Sequence, residues 1–213
     1  MTAVPVGGKV AGMEDIPVIL LAAGSSRRMG GVDKLMQIVD GQPLIRRSAE
    51  NARAVGPVIV ALPPAPHPRY TALSGMDLEV VSVPDADEGM NASLRRAVAQ
   101  LPVSARAAMI LLADLPELTS DDLRAVLRSV TEHPDKLIWR GASSDGVPGH
   151  PVIFDRSLFA DLAHLTGDGG AQAIVRAHLD QVHLQPLPGQ NAILDLDTPQ
   201  AWAEWRKKKR SQK

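Results

Sequence analysis

Apolar residues recur along the chain in short unbroken runs separated by amphipathic segments. IPVILLA (16–22), PVIVAL (57–62), LEVVSV (78–83) and AAMILLA (107–113) have the length and continuity of strands buried on both faces. Between them PLIRRSAENARAV (43–55) sets Leu44, Ile45, Ala49, Ala52 and Val55 on one helical face, and MNASLRRAVAQL (90–101) and SDDLRAVLRSV (120–130) are further helix candidates. This alternation predicts an α/β fold, a single three-layer Rossmann-like domain with a mostly parallel central sheet and helices on both faces. Another helix is expected at about 69–74, after a proline-rich stretch. Past residue 135 the pattern is less regular, through KLIWRG (136–141), HPVIF (150–154), VHLQPL (182–187) and ILDLD (193–197), of which the second and last read as strands. A helix is expected near 168–179. The final helix opens at Pro199 with Thr198 as its N-cap.

Residues 1–15, containing Gly and Pro, read as a disordered leader, 16–207 as the domain and 208–213 as a basic tail. The run KKKR (207–210) suits a solvated helix end, where cations face the negative end of the dipole. With 213 residues and 45% apolar content, one domain can build a sizeable core. A net charge of −1, from 23 basic and 24 acidic residues, gives no global field for nucleic acid or an anionic membrane, so anion binding has to be local. The absence of cysteine excludes disulfides, thiolate metal sites and cysteine nucleophiles. No stretch reaches the ~20 apolar residues of a membrane helix and the N-terminus lacks a signal-type apolar run, which together suggest a cytoplasmic protein.

LAAGSSRRMGGVDK (21–34) concentrates candidate chemistry in one loop. Leu21, Ala22 and Ala23 end a strand; Gly24, Gly30 and Gly31 let backbone N–H groups converge on an anion; Ser25 and Ser26 add donors; Arg28 and Lys34 add positive charge. The spacing is neither GxxxxGK[ST] nor G-x-G-x-x-G. Asp114 ends a buried strand, where ligands of open α/β sheets gather and where a carboxylate could hold Mg²⁺. Taken by itself it reads sooner as a turn or helix-capping residue before Pro116 than as a metal ligand. Asp195 and Asp197 have strand spacing that points both to one face, for a metal or, in the case of Asp197, for helix capping. GMNASLRRAV (89–98) opens a helix with small residues and free N–H groups. Gly-rich stretches precede His150 and the helix near 168; His150 suits a hydrogen-bonding structural role as well as a functional one. The six histidines show no paired zinc-ligand spacing.

In combination and in order, LAAGSSRRMGGVDK, ADLP, SLR, GHPVIF, TGDGGA and LDLDTP closely resemble the nucleotidyltransferases of molybdenum cofactor biosynthesis, and the last four point toward the molybdopterin cytidylyltransferase-like branch. The resemblance implies transfer of CMP from CTP to a molybdopterin-type phosphate, with pyrophosphate released and Mg²⁺ as cofactor. It implies catalytic roles for Arg28, Lys34 and Asp114, nucleotide binding by residues 21–26, Gly30 and Ser93, metal binding by Asp114 and Asp197, and acceptor binding by Gly149 and His150. It also implies transient contact with a molybdoenzyme maturation partner. LAAG, where the guanylyl branch has LAGG, resembles the cytidine-using members. RGASSDGVP, before GHPVIF, is longer and more polar than the family's usual link. Transfer to a sugar phosphate or terpenoid precursor, and a nucleotide-binding module without turnover, remain the alternatives.

Overall fold

The computed structural model describes residues 16–211 except Asp168; the leader at 1–15 and the last two residues of the chain lie outside the described residues. In chain order the elements are β1 (Val18–Leu21), β2 (Ile38–Val39), β3 (Gln42–Pro43), α1 (Leu44–Arg53), β4 (Val58–Leu62), α2 (Pro68–Ala72), β5 (Glu79–Ser82) and α3 (Met90–Val98). There follow β6 (Ala107–Leu112), α4 (Ser120–Glu132), β7 (Ile138–Ala142), β8 (Pro148–Asp155), α5 (Phe159–Ala163), α6 (Gln172–Ala177), β9 (Val182–Pro186) and α7 (Pro199–Ser211).

Seven strands form one sheet in the order β5-β4-β1-β6-β8-β7-β9, parallel except where β8 pairs antiparallel with β6 and β7. The fold is therefore the Rossmann-like α/β architecture that the alternating pattern predicts. Strand alternation divides the core between two faces. Val18 and Leu20 of β1, with Met109 and Leu111 of β6, pack under α1, α4 and the Trp202 and Trp205 side chains of α7. Ile19 and Leu21, with Ile110 and Val152, pack under α3 and α5. Because β1, β4 and β6 are covered on both sides, they carry unbroken apolar runs; β5, at the sheet edge, leaves Val80 exposed.

Several expectations need correction. ILDLD is not a strand. The chain turns there, with Ile193 and Leu194 N–H both donating to the Gln190 carbonyl, and the segment crosses the end of the sheet to start α7. The same-face argument for Asp195 and Asp197 therefore fails. The helix near 168–179 shortens to α6, since Gly167 and Gly170 hold positive φ where its first turn would lie. α7 continues to Ser211, so Lys208–Arg210 are helix rather than tail. Thr198 does cap it, its Oγ1 accepting from Ala201 N–H at 3.2 Å. The β2–β3 hairpin turns on Asp40-Gly41, whose positive φ values of 49° and 89° suit a tight two-residue turn.

Candidate active site

The loop after β1 is shaped by its own backbone and by one buried arginine. Ser26 takes a left-handed conformation (φ 53°), followed by a 3-10 turn over Arg27–Met29 and by Gly30 and Gly31, again at positive φ. The buried Met29 side chain pins this turn to the core. Ser26 Oγ accepts from Lys34 N–H at 3.2 Å, closing the loop, and Asp33 accepts from Leu35 N–H at 2.9 Å. Beneath lies Arg69 of α2, 2% exposed. It donates to the Ala22 carbonyl at 2.6 Å, to the Gly24 carbonyl at 2.8 Å and, as a fork, to both carboxylate oxygens of Asp33 at 2.7 and 2.8 Å. The fork fixes the two carbonyls pointing inward, away from an incoming anion. Burial alone would push the Asp33 carboxyl up; Arg69's hydrogen bonds and charge outweigh it and hold the group below the ordinary value.

Across the cleft stand the carboxylates. Lys34 Nζ donates to Asp114 Oδ2 at 2.6 Å and Asp197 Oδ1 at 2.5 Å, and Arg28 reaches Asp197 Oδ2 at 2.5 Å. Burial works against the Lys34 ammonium, but the two aspartates, Asp114 foremost, raise its pKa further. Asp114 Oδ1 is buried without a hydrogen-bond partner. Desolvation first, then the charges of Asp197 and Asp114, push the Asp195 carboxyl up, so three acids share this region. The two segments are held from behind. Ser48 of α1 donates to the Ala113 carbonyl, Trp202 Nε1 to the Leu196 carbonyl at 2.9 Å, and Trp205 Nε1 to Glu117.

The loop and the two carboxylates Asp114 and Asp197 line a cleft of about 480 Å³. Residues 21–26, Arg28, Lys34, Ser93, Asp114 and Asp197 all border it, as do Gly89 and Met90 at the N-terminus of α3. Gly30 closes the 3-10 turn without lining it, and Gly149 and His150 lie outside its lining. α3 begins with no side-chain cap, so its first N–H groups remain available beside the cleft.

The family model of the MobA-like NTP transferase domain matches residues 18–182, from β1 into β9. The chain belongs to that family. Among solved structures it is similar to Rv0371c of Mycobacterium tuberculosis H37Rv, at 29% identity over 91% of this chain and 98% of that one, with a TM-score of 0.75. A manganese complex of the same mycobacterial protein aligns at 27% identity over 89% of this chain and 97% of that one, with a TM-score of 0.72. A nucleotidyl transferase from Methanothermobacter, Mth528, shares the fold at 24% identity over 90% and 96% of the two chains, with a TM-score of 0.69. The comparison with curated proteins returned no match. The activity class of this MobA-like transferase is thus nucleotidyl transfer. No helix among the described residues is long and apolar enough to cross a membrane.

Gly149 has a packing reason. A Cβ there would lie 2.1 Å from the Ala192 carbonyl oxygen, and the neighbouring His150 N–H donates to that same oxygen at 2.8 Å. His150 is thereby tied to the segment leading into Asp197. Burial, reinforced by the charge of Arg140 and opposed by the Ile110 carbonyl and Asp114, lowers its pKa to about 4. The folded transferase then binds fewer protons than the unfolded chain between the ordinary histidine value, near 6.5, and about 4. Stability contributed by neutral His150 is present above the upper value and falls as pH drops through the window, by roughly 3 kcal/mol in all. Urea denaturation from pH 7 to 4 should show this slope, and His150→Gln should flatten it; an unchanged slope would contradict the burial of a neutral imidazole.

Asp33, Arg69, Trp202 and Trp205 are site-building residues that sequence reasoning passed over. Asp33 lies inside the loop motif, but three strands and a helix separate it from its partner.

Proposed function

We propose that this transferase moves CMP from CTP to the phosphate of a molybdopterin-type acceptor. An acceptor phosphate oxygen attacks the α-phosphorus, the bond from that phosphorus to the bridging oxygen breaks, and pyrophosphate leaves. The observation that carries the reading is the facing arrangement of a basic, glycine-rich loop and the pair Asp114 and Asp197, tied through Lys34.

Two carboxylates, one with a buried unpartnered oxygen, make a hard-oxygen donor pair that fits a divalent cation completing its shell with phosphates and water; among the described residues no cluster of three or more such ligands occurs, so most of the shell would come from the nucleotide and water. Asp114 and Asp197 would hold it; Mg²⁺ is the ion proposed, and the manganese bound by the mycobacterial neighbour supports a divalent ion here. When bound, the cation supplies charge neutralisation to the phosphates. Lys34 and Arg28 would add cationic stabilisation of the charge that builds on the leaving group, and the loop amides would orient the triphosphate. The α3 N-terminus and Ser93 would position the nucleoside, and Gly149 and His150 the acceptor. The acceptor phosphate is already ionised near neutral pH, so the scheme requires no protein nucleophile or general base. The choice of cytosine and molybdopterin rests on LAAG and on the resemblance carried by the C-terminal motifs.

Pyrophosphate release measured with each of the four NTPs, with and without molybdopterin, tests the choice. Release should be fastest with CTP and molybdopterin together and should stop with EDTA. Equal rates with GTP, or faster release with a sugar phosphate, would overturn it.

A further inference from the structure

Arg140 differs from the cations around the nucleotide cleft. Arg27, Arg28, Lys34, Arg69 and Arg95 each have a carboxylate within 3.3 Å. Arg140 makes no carboxylate contact among the described residues. Its Nε donates to the Gly149 carbonyl at 2.7 Å, and one Nη reaches the Pro148 carbonyl at 3.4 Å on the exposed side, leaving most of the guanidinium fork unused. The side chain is half-buried, and that burial alone lowers its pKa. A partly desolvated cation without a counter-charge is costly unless an anion arrives to share the site.

Its position says which anion. β1, β6, β8 and β7 follow one another in the sheet, so Arg140 lies across Asp114 from the nucleotide loop. Ile138, two residues earlier on β7, and Val152, its partner on β8, both pack into the α3 and α5 layer, so strand alternation turns Arg140 toward the face on which α3 borders the cleft. Strand spacing of ~4.8 Å puts β7 roughly 10 Å from β6, within reach of a long arginine side chain and a phosphate between them. Between Arg140 and Asp114 sits His150, electrostatically coupled to both, with its Nδ1 buried and lacking any hydrogen-bond partner. Spare guanidinium donors on one strand thus lie beside a buried, unpartnered ring nitrogen on the next.

We propose that the free edge of the Arg140 guanidinium forms the subsite that holds the acceptor's phosphomonoester; the neutral His150 imidazole beside it, whose other nitrogen donates to the Ile110 carbonyl, can only accept, from the protonated oxygen of a phosphate monoanion. This rests on the transfer reading above and adds to it the residue that selects an anionic acceptor. The planar fork of arginine matches two phosphate oxygens at once, which a lysine cannot do. Arg140 is then a specificity residue of the second substrate, with no share in holding the nucleotide.

The test uses the intact chain and two probes, α,β-methylene CTP, which cannot release pyrophosphate, and phenyl phosphate. Calorimetry should show phenyl phosphate binding to the nucleotide-loaded wild type and no binding of benzyl alcohol. Arg140→Gln should weaken phenyl phosphate at least tenfold and Arg140→Lys by less, while the affinity for α,β-methylene CTP stays within twofold in both. In turnover, Arg140→Gln should raise the acceptor KM and leave the CTP KM unchanged. Undiminished phenyl phosphate binding by Arg140→Gln, or none by the nucleotide-loaded wild type, overturns the subsite while leaving nucleotide transfer standing. Failure of the wild type to bind α,β-methylene CTP removes the transfer reading and this subsite with it.

Discussion

Lys34→Ala is expected to lower pyrophosphate release by about 10³-fold at saturating CTP and Mg²⁺, the upper range for removal of one preorganised donor. Among the described residues Lys34 is the single group that touches both Asp114 and Asp197, at 2.6 and 2.5 Å, and it comes from the loop that would receive the triphosphate. Among the described residues its removal leaves Asp197 with Arg28 alone and Asp114 with no cation. Without nucleotide the two acids then repel each other, which should tighten metal binding even as transfer slows. Asp114→Asn should slow transfer to a similar degree while weakening the metal, so the two variants separate in metal titrations. A Lys34→Ala rate within tenfold of wild type would remove the lysine from the chemistry.

Arg69→Met is expected to destabilise the fold by about 3–5 kcal/mol, the usual range for removing one member of a buried ion pair. The variant strands the Asp33 carboxylate and leaves the Ala22 and Gly24 carbonyls without the donor that now holds them. Both carbonyls flank the loop, so surviving folded protein should show a raised CTP KM with a smaller change for the acceptor. Arg69→Lys keeps the charge and loses the fork, and should recover part of the stability and little of the loop geometry. The depressed Asp33 pKa adds a pH signature. Its stabilisation is present above the ordinary carboxylate value and is lost as pH falls through the lower folded one, and Arg69→Met should erase that component. Urea denaturation across acid pH measures both effects; a loss under 1 kcal/mol would show that the loop is held by other means.

The sequence made the strands and the cleft's own residues readable for a physical reason. Strands covered on both faces must be apolar throughout, as in IPVILLA and AAMILLA, and a loop that receives an anion needs glycines and cations close together. Direction is not encoded this way: HPVIF is as apolar as its neighbours, yet β8 runs antiparallel. Arg69 stayed hidden because a lone arginine after four prolines reads as exposed, and its burial depends on Asp33, 36 positions earlier. Alternation at ILDLD suggested a strand, but Leu196 is buried because Trp202 and the core take it, not because it pairs in a sheet. The aspartates' convergence on Lys34 is a tertiary fact that strand spacing could not supply.

Nucleotidyl transfer between the loop and the two carboxylates has a direct readout. It is tested most directly by incubating the protein with α-³²P-labelled CTP, Mg²⁺ and molybdopterin and resolving the products by mass and label. Labelled phosphate is expected in a CMP–acceptor adduct, with one pyrophosphate for each adduct, and neither product from Asp114→Ala. Label retained in CTP, or released as free CMP with no adduct, would contradict it.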